Sequence, residues 1–387
     1  MKIFILVKRN ILTIIFGLFM IFLIVFSKNN LSAAKDGLTL WATCVVPSLF
    51  PFFIATELLN YTNITNIFGK LLSKIMRPIF NIPGEGGYAF VMGIISGYPV
   101  GAKIVSEFYS NGICSKNEAE RMLAFTNNSG PLFIIGTVGI LLFGNSTIGV
   151  LLFITHLLSS ITVGFILGIC SRFYKASSKK LPLANSKQEK VSSSLSNLGN
   201  ILGSSIYSAI STVLLIGGFV VLFSVILSIL NRLNIISIFS NILSNFSIPY
   251  DFSRALISGI IELTNGVNIA SSIHTKAISG NIILCAFLLG FGGFSVLLQV
   301  LSIISKFGLS IKTYFLGKLL QGLFAALYTL LFINNLSVFN MDIPVNLNSS
   351  SNIPFFNILI ILFMLVLGIA LVFINQRKIV NHNIENI

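Results

Sequence analysis

Helix-breaking residues interrupt the apolar runs of this chain at four places, and that pattern limits what it can fold into. The interruptions are Ser96-Gly97-Tyr98-Pro99-Val100-Gly101, Asn127-Asn128-Ser129-Gly130-Pro131, Glu262-Leu263-Thr264-Asn265-Gly266 and Gly290-Phe291-Gly292-Gly293. Proline removes a backbone donor and glycine favours non-helical dihedrals, so a regular helix does not run through them undisturbed. The surrounding stretches are long and apolar enough to enter a bilayer. In hydrocarbon an unpaired backbone N–H or C=O is costly, so a broken helix survives only inside protein or beside a water-filled cavity.

The breaks belong to two similar halves. Thr43–Phe50 aligns with Thr212–Phe219, Gly93-Ile94-Ile95 with Gly259-Ile260-Ile261, and Ala124–Leu132 with Ala286–Phe294, in the same order. Duplicated hydrophobic halves with interruptions in corresponding positions point to a transporter and to its binding site. The bland alternative is that glycine and small polar residues only allow close helix packing. Four breaks in matched positions favour the transport reading.

Only 9% of the 387 residues are charged and 55% are hydrophobic, which is too little charge for a soluble surface. The chain is therefore expected to be an all-α polytopic membrane protein whose main partner is the lipid bilayer. Its net charge of +14 is no nucleic-acid footprint, because the basic residues sit in short loops beside apolar spans. Cys44, Cys114, Cys170 and Cys285 are scattered and form no CxxC pair, so neither a metal site nor a disulfide framework is expected. Hydrolase, nucleotide-binding and zinc-protease motifs do not occur in suitable context, so no catalytic residue, no cofactor and no enzymatic activity are assigned.

Eight crossings and two re-entrant hairpins account for the pattern. Crossings are expected at Ile11–Ser27, Leu38–Leu59, Met122–Phe143, Thr147–Ser171, Ile201–Leu230, Ile282–Ser305, Thr313–Ile333 and Ile353–Ile374. The hairpins are expected at Tyr88–Asn111 and Ser253–Thr275. Asn66–Phe80 carries Lys70, Lys74 and Arg77 on one face and suits a helix lying in the membrane surface. Asn231–Phe252 reads as a polar connection. Residues 1–36 form an N-terminal span, 37–171 a first repeat, 172–200 a basic cytosolic linker, 201–334 a second repeat, and 335–387 a polar loop with a final span. Lys8-Arg9, the following apolar run and Leu31-Ser32-Ala33-Ala34 imitate a secretory signal, but the run is long for one and favours a retained span. Placing the basic segments in the cytosol makes the first hairpin enter from inside and the second from outside, so the halves are inverted. Lys28, Lys35, Arg254 and Lys276 fall on the wrong side of that assignment.

Packed around a pseudo-two-fold axis, the four breaks meet. Half-helix N-termini then aim partial positive charge at an anion, and freed carbonyls suit a cation. Ser96, Tyr98, Asn127, Asn128, Ser129, Thr264, Asn265 and Ser295 supply hydrogen-bonding side chains. Gly97, Pro99, Gly101, Gly130, Gly266, Gly292 and Gly293 shape the backbone around them. Lys103 is either the partner of an anionic substrate or a lysine snorkelling at the hairpin mouth. Glu262, inside an apolar stretch, is either a proton- or cation-coupling group or the cap of a freed helix start. His156 reads more readily as an interhelical hydrogen-bonding residue than as a proton relay. Gln299 and Gln321 line the second-half cavity or bridge helices. Glu57 and Glu107 read as interfacial.

PSLFPFFIATELL (47–59), GIISGYPVGAKIVSEFYSNGICSKNEAERMLAFTNNSGPLFIIGTVG (93–139), SGIIELTNGVNIAS (258–271) and AFLLGFGGFSVLLQV (286–300) resemble the YlbJ (SpoVV) family of sporulation integral membrane proteins. The resemblance covers roughly residues 10 to 335, and SGYPVGAK and FTNNSGP are its most specific blocks. That family belongs to the wider Gate, or nucleoside-recognition, membrane group. Its plan is similar to that of concentrative nucleoside transporters. The resemblance implies a role in endospore formation, in the outer forespore membrane, moving dipicolinic acid towards the forespore. Dipicolinate is a small aromatic dianion, which suits Lys103, Tyr98 and Phe294 near half-helix N-termini. A nucleoside or other polar metabolite is the alternative substrate, and a non-transporting scaffold or assembly factor the alternative role. A homo-oligomer and other sporulation membrane proteins stand open as partners.

Overall fold

The computed structural model describes residues 10–173, 197–246, 248–274 and 278–333, and every regular element among them is helical. The expected loop at 334–352, the final span at 353–374 and most of the basic linker lie outside the described residues.

The chain enters through α1 (Ile11–Val25) and continues through α2 (Ser27–Leu40), a π-helical turn (Trp41–Val45) and α3 (Val46–Asn60). The last three form one rod over Ser27–Asn60 despite Pro47 and Pro51. A proline cannot give its N–H to the carbonyl one turn back, and widening the preceding turn accommodates it. After α4 (Ile64–Ile75) the chain folds into α5 (Gly86–Ser96) and α6 (Val100–Ser110). Then come α7 (Lys116–Thr126), a π-helix (Leu132–Leu142) and the long α8 (Ser146–Phe173). A capping box starts α7: the Ser115 side chain accepts the Glu118 N–H at 3.4 Å while Glu118 Oε2 accepts the Ser115 N–H at 2.8 Å.

A second run of helices follows. It runs through the long α9 (Leu198–Arg232), short α10 (Ile235–Ser244), paired α11 (Tyr250–Ile261) and α12 (Leu263–Ser272), broken α13 (Ser279–Phe291) and α14 (Gly293–Ile304), and long α15 (Lys312–Ile333). The reading of 231–252 as a polar connection needs correction: α10 occupies it, burying Ile236 and Ser240. Its apolar residues recur at helical spacing, and the polar asparagines and serines between them hide that period.

Five described helices are long and apolar enough to cross a membrane: Ser27–Asn60, Ser146–Arg172, Leu198–Arg232, Ser279–Phe307 and Lys312–Ile333. The segment at 122–143 is interrupted at 127–131 as the sequence indicates, and neither of its two shorter helices nor the 15-residue α1 is among the five.

Packing crosses between the halves reciprocally. α7 of the first half lies against α15 of the second, and α13 of the second against α8 of the first. Likewise α6 meets α14, and α12 meets the π-helix. One buried cluster centres on α13 and α15 with Ile134, Ile148 and Leu152 from the first half. The other centres on α5 to α7 with Val213, Val300 and Tyr314 from the second. In lipid this association rests on close contact and interhelical hydrogen bonds rather than on escape from water.

Candidate functional site

The four interruptions are real departures from helical geometry, and two are narrower than the sequence indicates. At the first hairpin tip Gly97 takes φ +80° and the Tyr98–Pro99 peptide is cis. α7 stops at Thr126, and Asn127 is extended (φ −94°, ψ 98°). In the second hairpin only Glu262 leaves the helix (φ −142°, ψ 118°), while Leu263 to Gly266 are already helical. Between α13 and α14 the interruption is Gly292 at φ +84°, followed by Gly293 at φ +76°. Both values lie in the left-handed region that glycine alone enters without steric cost.

The breaks come together in two pairs. In the first half the Ala102 N–H donates to Asn127 Oδ1 at 3.4 Å, and a Cβ on Gly97 would stand 2.9 Å from the Gly130 nitrogen. Gly93 and Gly101 both press against the Thr126 carbonyl. In the second half Ser295 Oγ donates to Glu262 Oε1 at 3.5 Å, and a Cβ on Gly293 would stand 2.8 Å from the Gly259 carbonyl oxygen. Tyr98 joins the pairs: its hydroxyl donates to the Leu289 carbonyl at 3.1 Å and lies against Gly292. Ser96, Asn127, Asn128, Ser129, Glu262, Thr264 and Ser295 are all buried. New helices start at Val100, Leu132, Leu263 and Gly293, so four N-termini open at the junction. Each carries unsatisfied N–H groups and the positive end of a helix dipole.

Two of those N-termini already hold a side-chain acceptor: Asn127 at the helix that starts at Val100, and Glu262 at the helix that starts at Leu263. Glu262 Oε2 accepts the Asn265 N–H at 2.7 Å and its Nδ2 at 3.0 Å, and Thr264 Oγ1 donates to Oε1 at 3.2 Å. That is the geometry of an N-cap. Asn265 Nδ2 also reaches Ser224 Oγ at 3.1 Å, tying the cap to α9.

The cationic side chain at the junction is Lys318, which the sequence reading did not single out. It lies on α15 and is 1% exposed. Its Nζ donates to Gln321 Oε1 at 2.7 Å and to Asn128 Oδ1 at 3.5 Å. It also stands over the rings of Tyr98 and Tyr314, at 5.2 and 5.9 Å from their centroids. Among the described residues no carboxylate pairs with it. Around it, Asn127 Nδ2 donates to the Tyr314 hydroxyl at 3.0 Å, Gln321 Nε2 to Asn128 Oδ1 at 2.8 Å, and the Ser129 N–H to His156 Nε2 at 3.2 Å. Thus α15 and α8 supply the walls of the first break. His156 and Gln321 bridge helices there.

Two residues expected at the junction stand elsewhere. The Lys103 ammonium pairs with Glu57 and donates to Ser208 Oγ at 2.7 Å, on the partly exposed side of the first hairpin. Glu57 is therefore one half of an ion pair. Phe294 is 41% exposed, and its ring meets Phe291 edge-on at 6.2 Å, while the neighbouring Ser295 is the residue that reaches Glu262. Gln299 is buried on α14, about two turns beyond Gly293. The signal for Lys318 was present in the spacing of Tyr314, Lys318 and Gln321, which puts three polar groups on one face of an apolar helix.

Residues 42–172 match the family model described as Gate, nucleoside recognition. Over 315 residues the chain is 37% identical to the sporulation integral membrane protein YlbJ of Bacillus subtilis (strain 168), covering 78% of this chain and 77% of the relative. The chain belongs to the YlbJ family. With its long apolar helices, this YlbJ-family member is a multi-pass integral membrane protein. The Gate match runs from the π-turn ahead of α3 to the end of α8. No solved structure matches the chain.

Proposed function

We propose that this YlbJ-family protein is a carrier of a small organic anion, built as an inverted repeat, and that it moves dipicolinate across the outer forespore membrane. The observation that carries the reading is the meeting of four helix interruptions, two from each recurring set, at one buried junction bridged by Tyr98. Irregular backbone inside a membrane protein serves binding, because packing alone is satisfied by unbroken helices. Helix N-termini and a lysine with no carboxylate partner among the described residues make the junction attractive to negative charge. The family relationship supports the sporulation setting, and the resemblance to dipicolinate-moving proteins supports that substrate. The Gate match favours a nucleoside as the second reading.

Proteoliposomes holding the full chain are expected to accumulate labelled dipicolinate, with competition from related dicarboxylates and none from uridine. Uptake equal to that of protein-free vesicles would sink the carrier reading, and uridine uptake would move it to the nucleoside.

Glu262 is the residue through which a proton or cation could be coupled, and its capping bonds supply the competing account. Glu262→Gln keeps a carbonyl acceptor but no charge. Under coupling, the variant's uptake loses its dependence on pH or on the driving cation. Under capping alone, uptake keeps that dependence, and Glu262→Ala costs about 1 kcal/mol of stability.

A further inference from the structure

Beside the first break, three buried side chains hold a polar hydrogen that no acceptor among the described residues takes. They are the hydroxyls of Thr126 and Ser129 and the Nδ1 of His156. His156 Nε2 already accepts the Ser129 N–H, which puts the proton of the neutral ring on Nδ1. The Ser129 hydroxyl lies near Tyr98 but outside hydrogen-bonding geometry. Buried polar groups are nearly always paired, so several unmet donors in one place need an explanation. Lys318 stands in the same cluster, with neutral amide oxygens and aromatic faces around its ammonium and no carboxylate. A buried cation held this way lacks a compensating negative charge. The hydroxyls and the ring N–H are short of an acceptor, and the lysine is short of negative charge; a carboxylate oxygen supplies both.

We propose that Lys318, Ser129 and His156 form a binding site for one carboxylate group, with Asn128 and Gln321 holding the ammonium in place. The proposal rests on reading the junction as a substrate site and assigns the substrate's charge to Lys318 rather than Lys103. A carboxylate there would accept from the ammonium, the free hydroxyl and the ring N–H, as charge-assisted hydrogen bonds. Tyr98 and Tyr314 leave the ammonium flanked by flat faces, which suits a carboxylate borne on a ring.

The test uses the full chain in lipid nanodiscs and calorimetric titration with picolinate, dipicolinate and neutral picolinamide. The wild type is expected to bind both carboxylates, and picolinamide at least about tenfold more weakly, the loss that follows from one charge-assisted contact. Lys318→Gln should lower carboxylate affinity at least about tenfold, leave picolinamide within about twofold, and regain part of the loss as Lys318→Arg. Lys103→Gln should change neither. Lys318→Met provides the same comparison if the glutamine variant fails to fold. The ligand-free melting temperature of either variant should equal or exceed that of the wild type, since an uncompensated charge has been removed. Equal binding of picolinate and picolinamide, no carboxylate binding at all, or unchanged carboxylate affinity in Lys318→Gln would overturn the site. So would a uniform loss of all ligands with a lower melting temperature, the signature of a structural lysine. Lys318-dependent binding without vesicle uptake would leave the site standing and remove the carrier reading.

Discussion

Gly93→Ala is expected to unseat the first hairpin from the broken helix and to cost about 3 kcal/mol, the upper part of the overpacking range. A methyl on Gly93 would lie far inside van der Waals contact distance of the Thr126 carbonyl oxygen. That oxygen belongs to the last turn of α7, just before the chain leaves helical geometry at Asn127. Backbone cannot rotate aside as a side chain can, so relief requires the hairpin to move. Gly101 presses on the same carbonyl from the other arm, where a Cβ would also lie 2.9 Å from the Asn127 Cα. A shift large enough to clear either contact breaks the bond from the Ala102 N–H to Asn127 and carries Tyr98 away from Leu289. Gly218→Ala is the matched control. Gly218 lies within α9, a Cβ there meets nothing within 4 Å, and alanine gains up to about 1 kcal/mol of helix propensity over glycine. Thermal unfolding in detergent should therefore show a large loss for Gly93→Ala and none for Gly218→Ala. Similar melting temperatures in the two variants would mean that the hairpin and the broken helix are not locked together.

That contact illustrates which parts of the molecule were legible in the sequence. The breaks were, because proline, glycine and short polar side chains act locally on dihedrals. Gly97, Asn127 and Gly292 depart from the helix within the predicted intervals. The second-hairpin break was drawn too wide because Thr264, Asn265 and Gly266 look like loop residues one by one. With the Glu262 carboxylate on the Asn265 N–H, the same residues begin a helix. Side-chain partners were much less legible. Lys103 follows a glycine-rich tip and reads as free, yet Glu57 from another helix claims it. Lys318 lies six residues into an apolar helix, roughly 9 Å along its axis, where a lysine reads as snorkelling to the membrane surface. What buries it is α7 and the first break arriving from the other half, which no local pattern encodes. Phe294 shows the converse, since an aromatic beside a break looks like a buried wall and here is left 41% exposed.

Lys318 and Gln321 also make a quantitative prediction that does not depend on any ligand. Gln321 gives its carbonyl oxygen to the Lys318 ammonium at 2.7 Å and its amide to Asn128 Oδ1 at 2.8 Å, so one side chain satisfies both neighbours. Gln321→Leu removes both bonds from a site with no exposure to water. The ammonium then keeps only the long 3.5 Å contact to Asn128 and its aromatic neighbours. Leaving the buried lysine without its principal hydrogen-bond acceptor costs about 2–3 kcal/mol. Lys318→Met leaves the Gln321 oxygen without a donor, at about 1–3 kcal/mol. The same change removes the desolvated charge, so the net effect is close to zero or stabilising. In the double variant both the charge and its partner are gone, and methionine and leucine pack against each other. The double variant should therefore be more stable than Gln321→Leu alone by about 1–3 kcal/mol, read as coupling in a double-mutant cycle of melting curves. If adding Lys318→Met to Gln321→Leu recovers nothing, the ammonium is not the group that Gln321 holds, and the cluster owes its order to other contacts. Recovery on that scale would mean that Gln321 is kept at this position to hold a cation that the fold alone would be better without.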